Sequence, residues 1–322
     1  MKLAITLGDV NGVGPEILLK AFAHGDLPWP LVVAGDLAAL EACNEALGYG
    51  VALRSVRADA DPDPAVLGVL DQGLLGRADI EPGTLSARAG DAAFHYLQQG
   101  IRLAQDGAVD AIVTLPMNKE ATRLTHPGFS GHTGVVAEAC GSPEHTMALI
   151  SDDLIVAHVS THVSLRQAIE SLSTQRILAV IRMAHDAARR LGRPPRMAVM
   201  GLNPHAGEGG SFGDEEATCI RPAVEQAVAD GLDVVGPLPP DTVFMRARKG
   251  DFSSVVAMYH DQGHIAMKTI GMDNTVNVTL GLPFVRTSVD HGTAFDIAYR
   301  GTASTGSFIK ACRLAVELAG AG

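Results

Sequence analysis

Cysteine is scarce in this chain. The four present, Cys43, Cys140, Cys219 and Cys312, stand far apart with no Cys-x-x-Cys spacing, which argues against a disulfide framework or a thiolate zinc site and fits a reducing compartment. Long apolar runs are missing too. The first, residues 3–7, stops at Gly8-Asp9, and none approaches the ~20 residues that a membrane span needs, so the expected location is the cytoplasm with no membrane partner. Positive charge is in deficit: 25 Lys and Arg against 36 Asp and Glu leave a net −11, a field that repels DNA or RNA. An anionic small molecule would need a local basic pocket. The dinucleotide fingerprint is incomplete, because Gly12 and Gly14 supply G-x-G but Ile17 stands where the third glycine belongs. There is also no internal repeat, low-complexity tract or obvious linker.

What is present is core material, 47% apolar against 19% charged residues in 322, a length that favours two packed halves over one domain. Strand-like runs at 3–7, 31–34, 110–114, 147–150, 154–159 and 196–202 alternate with helical segments such as 36–47 and 88–106. That alternation predicts α/β layers with a largely parallel sheet. Residues 57–82, with their Asp-Pro repeats, read as loop-rich.

Polar residues gather where these apolar runs stop. Val255-Val-Ala-Met-Tyr-His260-Asp-Gln-Gly263-His264, followed by Lys268, places imidazole, carboxylate and amine within nine residues at the end of a buried strand. Similar ends occur at Gly131-His132-Thr133, at Thr161-His162 and at Asn203-Pro-His205-Ala-Gly207-Glu-Gly209-Gly210. In open α/β sheets the carboxyl ends of the strands line the ligand crevice. His162, His205 and His260 each follow an apolar run; three neutral imidazoles leave a divalent cation an open position, the arrangement of a catalytic site. Against this stands the ordinary reading, that among 12 histidines a few follow strands by chance. His158 lies inside a strand-like run and Gly263 interrupts the spacing of His260 and His264, so a helical metal face is discounted and His158 and His264 read as structural or supporting. Lys119, Lys268 and Arg286 are the cationic candidates for an anionic substrate, with Asn277 and Thr133 as neutral donors. Asp241, before the helical residues 242–248, is either an N-cap or an active-site carboxylate.

Three motifs carry a family resemblance: Gly201-Leu-Asn-Pro-His205-Ala-Gly-Glu-Gly-Gly210, Met258-Tyr-His260-Asp-Gln-Gly263, and the run from Asn277 through Arg286 to Thr293. With a looser match at Gly8-Asp9 and Gly12-x-Gly14-Pro15-Glu16, the chain resembles the 4-hydroxythreonine-4-phosphate dehydrogenases of pyridoxal phosphate synthesis. The resemblance implies two α/β/α subdomains with a cleft between them, like isocitrate and isopropylmalate dehydrogenases, which bind NAD without G-x-G-x-x-G. It places the first subdomain at 1–125 plus 290–322 and the second at 126–289. It implies a divalent metal (Zn, Mn, Co or Mg) on His162, His205 and His260, with His260 crossing a homodimer interface. His132, Thr133, Lys268, Asn277 and Arg286 would bind the phosphorylated substrate, and Asp241, Asp261 and Lys268 would act in catalysis. Gly207, Gly209 and Gly210 form the candidate loop for NAD.

The implied reaction is oxidation and decarboxylation of 4-phosphooxy-L-threonine to 3-amino-2-oxopropyl phosphate and CO2. Three departures border the presumed pocket: Gly134 where the family usually has Glu, Asn118 where His is usual, and His264 in place of an apolar residue. They leave open a 4-phospho-D-threonate or D-erythronate dehydrogenase, and more remotely a cyclic dihydrodiol carboxylate dehydrogenase. A non-catalytic metal and anion binder and an acyl-phosphate transferase are the alternatives of a different class.

Overall fold

The computed structural model describes residues 1–271 and 275–320. The chain divides into two compact units, Met1–Pro143 with Leu282–Gly320, and Glu144–Gly281. Residues 126–143 and 282–289, expected in the second subdomain, therefore lie in the first.

The first unit runs β1 (Leu3–Thr6), α1 (Gly14–Ala23), β2 (Leu31–Gly35), α2 (Leu37–Leu47), β3 (Leu53–Ser55), β4 (Leu67–Asp71), α3 (Ala87–Gln105), β5 (Ala111–Thr114), α4 (Lys119–Arg123) and α5 (His132–Ala139). The second holds β6 (Thr146–Ile150), β7 (Ile155–His158), α6 (Leu165–Glu170), α7 (Thr174–Arg190), β8 (Met197–Met200), α8 (Arg221–Ala229), β9 (Val234–Leu238), α9 (Pro240–Ala247), β10 (Ser254–Ala257), α10 (His260–Gly271) and β11 (Val276–Leu280). The chain then returns to the first unit with β12 (Val285–Ser288) and α11 (Gly306–Gly320).

In the first unit the order β3-β4-β2-β1-β5-β12 is parallel throughout. Strands β1, β2 and β5 are buried on both faces, which is why they read as unbroken apolar runs rather than alternating ones. Strand β4 was missed inside the region read as loop. Its burial is mixed, with Gly68 half-buried and Asp71 exposed, and it lacks the continuous apolar signature of its neighbours. The returning segment is held by buried Glu16, whose carboxylate accepts from the Arg300 and Ala303 amides at 3.1 and 2.8 Å. Lys20 Nζ donates to the Gly301 and Ala303 carbonyls.

The second unit orders its strands β11-β6-β7-β10-β8-β9. Strand β6 is antiparallel to both β11 and β7, a departure from a wholly parallel sheet. The cause is local: residues 151–154 close a tight turn, Ser151 N–H to Leu154 O at 2.9 Å, and a connection that short joins only antiparallel strands. From β7 onward the sheet is parallel in the order β7-β10-β8. His162, His260 and His205 follow these three adjacent strands at their carboxyl ends.

Asp9, at the turn after β1, is completely buried; Oδ1 accepts from the Asn11 amide at 3.0 Å and Oδ2 has no partner. Burial raises its pKa to about 6, the Asn11 bond offsetting this only in part. A raised acid pKa means the folded state holds its proton more tightly than the unfolded one. That stabilisation is complete below pH 4 and disappears as the pH climbs through 6. The stability difference between Asp9→Asn and the parent should therefore grow in the variant's favour by about 3 kcal/mol between pH 4 and 8. Urea unfolding across that range checks it, and a difference independent of pH would contradict the assignment.

Candidate active site

An anion cradle forms in the first unit around Arg286. This residue sits within β12, only 2% exposed, and its guanidinium donates to Thr114 Oγ1 at 2.6 Å and Thr133 Oγ1 at 3.3 Å. Burial pulls its pKa down to about 10, so it still carries its charge at neutral pH. His132 and Thr133 open α5, and the His132 ring bonds the Leu115 backbone. Its buried Nε2 has no partner. Burial, followed by the charge of Arg286, takes the His132 pKa to about 3, with Lys119 adding to the effect and the Leu115 bond opposing it. The imidazole is therefore neutral, and with its other nitrogen engaged by a carbonyl, Nε2 presents a lone pair. Lys119 is the first residue of α4, after Asn118, which caps that helix by accepting from the Ala121 amide at 3.0 Å. An exposed ammonium, a buried guanidinium, a hydroxyl and a neutral imidazole are groups whose chemistry suits a phosphate with an adjoining hydroxyl. Thr114 was not picked out in the sequence, since nothing in residues 110–114 distinguishes a threonine that receives a guanidinium from one that fills a strand.

The histidines gather in the second unit. The loops after β7 and β10 are locked side by side: Val159 N–H donates to Ala257 O, and Ser160 donates to Met258 O through both its amide and its hydroxyl. Rings of His162 and His260 lie 5.8 Å apart within one chain, at a cavity of about 260 Å³ also lined by Thr161, Tyr259 and Asp261. His260 Nδ1 meets Asp261 Oδ1 at 2.7 Å, an imidazole–carboxylate contact that orients the ring.

His205 stands apart from them, 4.0 Å from Asp241 Oδ2. Among the described residues, His162, His205 and His260 do not form a group whose ligand atoms all lie within 4.8 Å of one another. Asp241 lies in the first turn of α9, which begins at Pro240 with Pro239 at the N-cap position. The N-cap reading is thus replaced by a carboxylate favoured by the helix dipole.

The loop carrying His205 has an unusual backbone. His205, Ala206, Gly207, Glu208 and Gly209 all have positive φ, a run that side chains other than glycine adopt only under compensation. Glu216 supplies it. Its buried carboxylate accepts from the Leu202 and Asn203 amides at 2.8 and 2.7 Å and from Asn203 Nδ2 at 3.0 Å. Burial pushes the Glu216 pKa up, but these bonds outweigh it and hold the group below the usual carboxylate range. Gln262 fastens this loop to the next, accepting from Met258 N–H at 2.7 Å and donating to Gly201 O at 2.8 Å. Glu216 and Gln262 escaped notice because a positioning role leaves no pattern of spacing. Gly207, Gly209 and Gly210, the candidate cofactor loop, serve this left-handed turn.

One helical reading needs correction. Gly263 does not interrupt α10, and His260 and His264 share a face with their rings stacked at 3.7 Å and 11°. Glycine at 263 lets the helix approach β7, since a Cβ there would lie 2.4 Å from His158 Nε2. His158 Nδ1 pairs with Met147 O and its Nε2 with His264 Nδ1, both at 3.1 Å. The two histidines thus buttress α10. Lys268 lies further along α10, exposed. Asn277 on β11 donates to Met147 Sδ at 3.2 Å and keeps a buried, unpartnered Oδ1.

Residues 27–315 match the family model of the pyridoxal phosphate biosynthetic protein PdxA. The chain is 46% identical to the D-threonate 4-phosphate dehydrogenase of Salmonella typhimurium, with 98% of each covered, and 44% identical to a 4-hydroxythreonine-4-phosphate dehydrogenase of Beijerinckia indica, covering 98% of this chain and 94% of that one. A crystal structure of 4-hydroxythreonine-4-phosphate dehydrogenase from Klebsiella pneumoniae superposes with a TM-score of 0.87 at 44% identity, with 99% of each chain covered. With the histidine-bearing loops and the Arg286 cradle both in place, the chain belongs to the PdxA family.

Proposed function

We propose that this chain is an NAD-linked, metal-dependent dehydrogenase of a 4-phosphorylated C4 hydroxy acid, and that 4-phospho-D-threonate is its substrate ahead of 4-phosphooxy-L-threonine. The observation that carries the reading is the cradle of Arg286, Thr133, Lys119 and neutral His132, which suits a phosphate beside a hydroxyl. Support for the substrate without an amino group comes from Gly134. A Cβ at this position would lie 2.2 Å from Ser130 Oγ, so the Glu usual in the resembled family has no room unless Ser130 turns away, and an ammonium would lack that partner. The name of the Salmonella relative agrees.

In this reading Arg286 and Lys119 hold the phosphate, the Thr133 hydroxyl fixes its orientation, and His132 Nε2 accepts a hydrogen bond from a substrate hydroxyl. The donor chemistry of His162, His205 and His260 suits a divalent cation such as Zn2+, Mn2+ or Co2+; completing the set would take His205 moving toward the other two or a ligand from a second subunit of a homodimer. Such an ion, when bound, supplies a Lewis acid that lowers the pKa of a coordinated hydroxyl. NAD, when bound, takes the hydride. Asp261 orients His260, and Asp241 stands by His205 as a proton acceptor. Oxidation of the secondary alcohol releases one proton and one hydride and leaves a ketone β to the carboxylate, from which CO2 departs.

NADH formation measured on both substrates, with and without chelator, tests this. The expected result is at least a tenfold higher kcat/KM for 4-phospho-D-threonate and loss of turnover in chelator. Preference for the amino compound would overturn the substrate, and no NADH from either would overturn the reaction. Gly134→Glu together with Ser130→Gly should shift the ratio toward the amino compound by about tenfold, the worth of one charge-assisted hydrogen bond.

A further inference from the structure

Away from the residues assigned above, Asp91 and His95 lie one turn apart on α3, and His126 stands in the turn that follows α4. Both imidazoles aim Nε2 at the same carboxylate oxygen: Asp91 Oδ1 lies 2.8 Å from His126 and 3.8 Å from His95. The three ligand atoms all lie within 4.8 Å of one another. We propose that Asp91, His95 and His126 form a second divalent-cation site, taking a zinc-like ion with water completing a tetrahedral shell.

Bond lengths of about 2.0–2.2 Å to imidazole nitrogen and carboxylate oxygen place the donors of a tetrahedral ion roughly 3.3–3.5 Å apart. The two separations to the shared carboxylate oxygen, 2.8 and 3.8 Å, bracket that value, and the two imidazole donors lie within 4.8 Å of each other, so side-chain adjustment alone can close the set. An Asp–His ion pair alone would use His126 and leave His95 free to turn to solvent, whereas His95 Nε2 faces the same oxygen.

The ligands are held ready. Phe94 stacks on the His126 ring at 3.9 Å and meets Phe129 edge-on. The His126 amide donates to Thr122 O and the Phe129 amide to His126 O, while Arg123 Nε donates to Phe129 O at 2.9 Å. Helices α3 and α4 touch backbone to backbone, a Cβ on Gly90 lying 2.4 Å from the Ala121 carbonyl carbon. Side-chain exposures of 41% for Asp91, 41% for His95 and 27% for His126 leave a face for water and for entry of the ion. Bound there, the cation ties α3 to the segment between Lys119 and His132, and so steadies the anion cradle.

The site does not depend on the three-histidine reading, and the experiment separates the two. Chelator-stripped protein carrying His205→Ala and His260→Ala is titrated with Co2+ and followed by visible absorption, then with Zn2+ and followed by thermal unfolding. The expected result is one Co2+ per chain with the strong visible bands of a tetrahedral site. Adding His95→Ala, or separately Asp91→Asn, should weaken binding at least tenfold and abolish the rise in Tm with Zn2+. Should the double-alanine background fail to fold, the parent chain gives the same reading as the loss of one equivalent of bound Co2+ on His95→Ala. No Co2+ bound in the background, or binding unchanged by His95→Ala and by Asp91→Asn, would overturn the proposal.

Discussion

Arg286→Met is expected to lower kcat/KM for a 4-phosphorylated hydroxy acid by roughly 30- to 5000-fold without lowering the thermal midpoint. Truncating one partner of a buried charge pair costs about 2–5 kcal/mol, and each 1.36 kcal/mol is a factor of about ten. The guanidinium is only 2% exposed, and two threonine hydroxyls accept from it. Desolvation pulls its pKa from 12.5 to about 10, which means that the fold bears a cost for the cation that an incoming phosphate relieves. An apolar side chain of similar length removes that cost along with the binding. Steady-state kinetics with thermal unfolding decides the matter: a fall of several degrees in Tm with near-parental kcat/KM would make Arg286 a structural residue.

Acidification should destabilise the second unit through His158. This ring is completely buried, and its pKa falls to about 3, chiefly through burial and next through the facing His264. His264 itself falls to about 4, led by burial and followed by the neighbouring His260. A base whose folded pKa lies below its unfolded value of 6.5 contributes stability that is complete above pH 6.5 and shrinks as the pH drops toward 3, because only the unfolded chain takes up the proton. The ceiling for His158 is about 5 kcal/mol. The hydrogen-bond chain gives the mechanism. With Nδ1–H donated to Met147 O, His158 Nε2 must accept from His264 Nδ1–H, and a second proton on His158 would set two N–H groups against each other. Urea unfolding at intervals from pH 7 to pH 4 should show the parent losing stability faster than His158→Gln; parallel curves would remove His158 as the source.

Much of the sheet was legible because a buried parallel strand must be apolar on both faces. Strands β1, β2, β5, β7, β8 and β10 each appeared as such a run, and His162, His205 and His260 follow three of them, β7, β8 and β10. Strand β4 and the antiparallel β6 were less legible, since one has a diluted apolar signal and the orientation of the other follows from the length of a turn. For the site, types of residue could be named but not their settings. Arg286 was a cationic candidate by type, but only the fold showed it buried within β12 and donating to two threonines.

The sequence by itself determined the layered α/β class and the histidine-, glycine- and arginine-bearing motifs by which the chain resembles its family. These follow from composition and short-range pattern, which local physics dictates. Only the tertiary structure decided which nitrogen of His132 carries a lone pair, that Glu216 holds a left-handed turn beneath His205, that His264 stacks on His260, and that Asp91, His95 and His126 meet. Each of these depends on burial and on contacts between residues distant in the chain, and desolvation has no counterpart in a string of letters.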